Sequence, residues 1–128
     1  MNLKSLSLAV AIFVALGAPA WAHHSHANYN TDEFTDLSGT VTQVAWGNPH
    51  VWLYMEIADE QGRPQAWTME GGSLQALMRG GWQRDSLKPG DRISVRCHRV
   101  RDGSSGCLMG FVTNINGTLM DKEFADAE

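Results

Sequence analysis

Histidines stand at positions 23, 24, 26 and 50, and the first three directly follow Ala20-Trp21-Ala22. If the working chain starts at His23, that residue offers an α-amine and a ring nitrogen to one metal ion. A second imidazole then completes a T-shaped, nitrogen-only site of the kind that suits Cu(II). His50 is the candidate for this second imidazole, because it follows Asn48-Pro49, a break where a strand end can meet an N-terminal segment. His24 and His26 are candidate supporting ligands. Copper ranks ahead of zinc on ligand type. The alternative is that a polar arm merely contains histidines and binds metals weakly. The copper and nickel motif with His third from the amine is absent, since Ser25 holds that place.

Three further groups could carry chemistry. His50, Trp52, Tyr54 and Glu56 alternate along one face of an expected strand, and exposed rings there could stack on a sugar, a peptide or another ring. Trp67 joins that face or leaves it according to register, because a one-residue slip reverses a strand's faces. Cover by the arm or by the helix is the competing fate of these aromatics. Glu56 and Glu70 could face each other and act as acid and base, but the sequence supplies neither the register nor the cleft that such a pair needs. Cys97 and Cys107 flank a short hairpin loop without a C-x-x-C motif, which favours a structural disulfide over redox catalysis. Met55 and Met69 are read as core filler.

Residues 1–22 have the three parts of a signal peptide: Lys4, the apolar run Leu6 to Leu16, and small residues ending in the A-x-A cleavage signal Ala20-Trp21-Ala22. The apolar run is roughly half the ~20 residues that a membrane-spanning helix needs. Cleavage after Ala22 would place the mature chain, His23 to Glu128, in an oxidising compartment such as a bacterial periplasm, with no membrane attachment after processing. Loss of Lys4 takes the net charge of −4 one unit further negative. An acidic chain lacks the cationic surface that neutralises phosphates, so nucleic acid is not an expected partner.

The elements that must position these groups can be read along the mature chain. Residues 23–36 are polar and lack a period, as in an extended arm. Leu37–Trp46 alternates and is rich in Thr and Val. His50–Ala58 alternates again, with Val51, Leu53, Met55 and Ile57 on its other face. Asp59–Pro64 reads as a turn and Gln65–Glu70 as a third strand. Ser73 caps a short helix, Leu74–Arg79, that stops at Gly80-Gly81. Arg92–Val100 and Cys107–Asn114 are the fourth and fifth strands, and residues 121–128 form an acidic tail. The expected fold is all-β with one short helix, in the order β-β-β-α-β-β. Over residues 37–120 this is a small five-stranded OB-like barrel. OB-type barrels commonly bind ligands on the face of strands two and three.

Several segments together resemble an uncharacterised family of small proteobacterial periplasmic proteins, defined by a domain of unknown function. They are His23-His24-Ser25, Gly39-Thr40-Val41, Asn48-Pro49-His50-Val51-Trp52, Glu70-Gly71-Gly72-Ser73, Gly81-Trp82, Asp85 to Asp91, and Arg101-Asp102-Gly103. The resemblance spans almost the whole mature chain, and Asn-Pro-His-Val-Trp is its most specific piece. It implies export and a single domain, and it carries no activity with it. Cys97 and Cys107 fall outside its pattern. No complete catalytic constellation is recognisable. The expectation is therefore a non-enzymatic binding protein that takes copper or another transition metal at His23, His50, His24 and His26. The competing expectation is an interaction module that binds a periplasmic protein, peptide, glycan or small ligand on Trp52, Tyr54 and Trp67. The sequence sets no oligomeric state.

Overall fold

The computed structural model describes residues 26–114 and 122–123. The expected signal peptide, His23, His24 and most of the acidic tail lie outside the described residues. Seven elements follow in order: β1 (Thr35–Ala45), β2 (Trp52–Ala58), β3 (Pro64–Glu70), α1 (Leu74–Arg79), β4 (Arg92–Arg99), β5 (Gly106–Asn114) and the two-residue β6 (Lys122–Glu123). The sheet order is β3-β2-β1-β4-β5-β6, and an additional parallel pairing of β3 with β5 closes the first five strands into a barrel. This is the expected β-β-β-α-β-β barrel with one short helix. The sixth strand, paired with β5 at Phe111 and Val112, was not expected.

Closure requires β1 to serve two partners. Its second half pairs with β2 and its first half with β4, and Thr40 lies opposite both Glu56 and Arg92. Gly39 sits at this crossing. A Cβ there would fall 2.3 Å from the carbonyl oxygen of Glu56, so a side chain would force the two strands apart. Register shifts at Val41/Gln43 in β1 and at Arg96/Cys97 in β4 add the local bends that a small barrel needs.

Strand alternation fills the interior. Val51, Leu53, Met55 and Ile57 are buried, and they meet Met69, Ile93, Val95, Met109 and Val112 from the other strands. Met55 and Met69 are core residues, as expected. Helix α1 and the segment after it contribute Leu77, Trp82 and Leu87 to the same cluster. Ser73 caps α1 by accepting from the Ala76 amide at 3.2 Å. Gly81, with φ of 90°, supplies the left-handed turn after Gly80 that brings Trp82 back onto the core. Cys97 and Cys107 are joined in a disulfide and are almost fully buried. The two are not directly opposite: Cys97 faces Met109, Cys107 faces Arg99, and the His98/Leu108 pair lies between. The bond therefore ties β4 to β5 diagonally, beside the hairpin that joins them.

Candidate functional site

The end of β3 and the loop before β2 meet through the backbone. The Val51 amide donates to Gly72 at 2.9 Å, and the Gly71 amide donates to the Val51 carbonyl at 2.8 Å. The loop is also held to the start of α1, whose Leu74 amide approaches Asn48 Oδ1 at 3.4 Å. These ties set His50 beside Glu70. Glu70 lies opposite Trp52 in the β2–β3 ladder and so belongs to the outer face that also carries His50 and Tyr54.

Glu70 is the buried charged residue of the described chain, with 7% exposure. Burial of a carboxylate is tolerable only when its oxygens are satisfied, and both are. Oε1 faces Nδ1 of His50. Oε2 accepts from the Tyr29 hydroxyl at 2.5 Å. A carboxylate oxygen only accepts, so Nδ1 of His50 carries a proton, and in the neutral ring the lone pair lies on Nε2. The His50 side chain retains 23% exposure. Burial raises the pKa of the Tyr29 phenol well above its ordinary value, and the hydrogen bond to Glu70 and the charge of Glu70 raise it further. Tyr29 therefore stays a proton donor throughout the neutral range.

Tyr29 belongs to the N-terminal arm, whose described part is docked. Tyr29 forms a β-bridge with Val100. The Asn30 amide donates to the Arg99 carbonyl and the Arg101 amide to the Asn28 carbonyl, both at 2.8 Å. A turn in which the Tyr29 amide donates to the His26 carbonyl at 3.1 Å places His26 directly behind this anchor. Further along, Phe34 stacks on His98 with ring centroids 4.1 Å apart, and His98 Nδ1 bonds the Glu33 carbonyl at 2.7 Å. The arm thus lies across the end of β4, and its tyrosine reaches the carboxylate that holds His50.

The other predicted residues fall as follows. Trp52 and Tyr54 are half-buried on the outer face. Trp67 does not join them: it pairs with Met55, points inward and is 7% exposed in the core, with the Arg99 guanidinium 4.9 Å above its ring. The expected Glu56–Glu70 opposition is also absent, because Glu56 faces Ala66 while Glu70 faces Trp52. Among the described residues no group of three or more His, Cys, Asp or Glu could hold a metal ion. An open groove of about 530 Å³ lies elsewhere, on β1, β4 and β5, lined by Asp36, Ser94, Arg96, Phe111 and Thr113. Arg96 is paired there with both oxygens of Asp36.

Tyr29 is the member of this constellation that sequence reasoning missed. Its partner is 41 positions away, and no local period marks it. Glu70 was singled out, but for a different pairing. Among the described residues no helix is long and apolar enough to cross a membrane. No curated protein matches the chain. The model of a family of unknown function, DUF6152, matches residues 11–109, a span that contains Tyr29, His50 and Glu70. With most of its length matched, the chain belongs to DUF6152, a family of unknown function.

Proposed function

We propose that the protein is exported to the periplasm by removal of residues 1–22 and there binds copper, or another transition metal, without catalysing a reaction. The ligands are His50, the ring and new α-amine of His23, and His24 or His26 in support. The observation that carries this reading is the contact of His50 Nδ1 with the buried carboxylate of Glu70. Metal-binding histidines almost always donate their second ring N–H to a carboxylate, carbonyl or water, which fixes the ring and makes the metal-facing nitrogen more basic. Here that nitrogen is Nε2, which has no hydrogen-bond partner among the described residues. The position of the arm adds support. His26 accepts from the Tyr29 amide in the turn that leads into Tyr29, and the Tyr29 hydroxyl bonds the carboxylate that contacts His50. Resemblance to small periplasmic proteins and the leader pattern support the compartment.

Cu(II) titration of protein with His23 verified as its first residue, followed by EPR, tests the reading. Nitrogen hyperfine structure and loss of affinity in His50→Ala are expected. Unchanged affinity in His50→Ala and His23→Ala would overturn it.

A second reading keeps the half-buried pair Trp52 and Tyr54 as a docking face for a peptide, glycan or periplasmic protein. It is narrower than the sequence suggested, because Trp67 is in the core. Pulldown from periplasm with Trp52→Ala as control tests it, and an unchanged set of partners removes that face from consideration.

A further inference from the structure

The outer face of β1, β4 and β5 carries the groove of about 530 Å³, a volume within the ~300–1,000 Å³ of small-ligand sites. Strand register fixes its floor. Asp36 stands opposite Arg96, and Arg96 opposite Phe111. Two positions along, on the same face, Ser38 stands opposite Ser94, and Ser94 opposite Thr113. An ion pair beside a ring is thus followed by a row of hydroxyls. Ser38 Oγ and Ser94 Oγ are 3.3 Å apart, and with Ser38 as donor the Ser94 proton is left for another acceptor. The aromatic end is also shaped by the strands. The register shift at Arg96/Cys97 makes Gly110 the extra residue of β5. A Cβ there would fall 3.2 Å from Cε1 of Phe34, so the missing side chain leaves room for that ring. Phe34 and Phe111 are 56% and 39% exposed, and with Met78 they are the large hydrophobic side chains left open among the described residues.

Charge and hydrogen bonding decide what this groove can take. Nε and Nη2 of Arg96 donate to the two oxygens of Asp36 at 2.9 and 3.1 Å. The two charges cancel inside the groove, so neither a phosphate nor an amine meets an unpaired opposite charge there. Both side chains are still more than half exposed. Their remaining lone pairs and N–H groups can bond neutral hydroxyls, which both donate and accept. Strand addition by a peptide is blocked, because β4 is paired on both sides and β5 pairs with β6 at Phe111 and Val112.

We propose that this groove binds a neutral sugar ring of a glycan, with Phe111 under the ring's C–H face and Asp36, Arg96, Ser94 and Thr113 on its hydroxyls. The site uses neither His50 nor Glu70 and stands independently of the metal reading. It also lies on different strands from Trp52 and Tyr54.

The test is an NMR titration of isotope-labelled protein. The probes are the neutral tetrasaccharides of the cello, malto and chito series, an acidic uronate tetrasaccharide, and an uncharged blocked tripeptide. At least one neutral sugar should shift the amides of Ser94, Arg96, Phe111 and Thr113 saturably, and the uronate and the tripeptide should bind more weakly. Phe111→Ala should weaken that binding about 5- to 10-fold, from the lost apolar contact. Thr113→Val keeps the shape, removes the hydroxyl and should cost about 2- to 10-fold. Met78→Ala, on α1, should bind like the wild type. The amide spectrum of each variant reports whether the barrel is intact. The proposal is overturned if no neutral sugar shifts the groove amides, or if shifts appear only around Trp52 and Tyr54. Tighter binding of the uronate or the tripeptide in the groove would also overturn it, as would unchanged affinity in both Phe111→Ala and Thr113→Val.

Discussion

Replacing Glu70 by alanine removes the acceptor shared by Tyr29 and His50 and leaves the nearly buried Tyr29 hydroxyl with nothing to donate to. Hydrogen bonds to charged groups contribute about 1.5–3 kcal/mol each, and a buried donor left unsatisfied costs about 1–3 kcal/mol. The variant also relieves the desolvation of a carboxylate at 7% exposure, which offsets part of that loss because burying one charge costs roughly several kcal/mol even after relaxation. The expected net destabilisation is about 2–4 kcal/mol, toward the lower side of what breaking a buried pair costs. For a domain of this size that lowers Tm by roughly 10–20 °C. Urea denaturation of chelator-treated protein measures it directly, with an unchanged m-value as the sign that the unfolding unit is the same. Glu70→Gln, which keeps the shape and one acceptor, should lose about 1 kcal/mol. A Glu70→Ala midpoint within about 0.5 kcal/mol of wild type, the range of an ordinary surface change, would refute the claim that this carboxylate joins the arm to the barrel.

Cys97→Ala/Cys107→Ala should lose about 3 kcal/mol in urea, the chain-entropy value for a bridge at a sequence separation of 10. Trp67→Ala should cost about 3–5 kcal/mol as a core truncation, whereas half-buried Trp52→Ala should cost under about 2 kcal/mol, and denaturation midpoints separate them. The carboxyls of Asp36, Asp59 and Asp102 are held below the ordinary aspartate range. Arg96 does this for Asp36, the Arg63 amide foremost for Asp59, and Ser104 for Asp102. A depressed folded-state pKa gives stability that is present above about pH 3.9 and lost as pH falls through the lowered values. Midpoints measured from pH 7 to pH 3 should therefore drop below about pH 4, and the drop should be smaller in Asp59→Asn.

Much of the barrel was legible because burial imposes a period. Val51, Leu53, Met55 and Ile57 alternate in sequence, and all four are inside. Ser73 and Gly80-Gly81 bracket the helix as their capping chemistry requires. The parallel β3–β5 contact that closes the barrel is a long-range pairing, and it followed only from the order of the elements. Register was the weak point. The inward direction of Trp67 and the separation of Glu56 from Glu70 depend on which residues of β2 and β3 face each other. No single strand encodes that. The two-residue β6 is too short to leave a pattern. The arm shows the same limit, since Tyr29 is fixed by Val100 and Glu70, both far away in sequence, within a segment without periodicity. His50 was found for its place after Asn48-Pro49, while the group that orients it had been considered for acid–base work.

The proposed metal site joins His50, whose Nδ1 contacts Glu70, to the N-terminus that cleavage before His23 would create. The most direct measurement is Cu(II) affinity of three proteins: one beginning at His23, one with a single extra residue before His23, and His50→Ala beginning at His23. Tight binding with nitrogen hyperfine structure is expected in the first and a loss of at least about tenfold in the other two. Equal affinity in all three would contradict it.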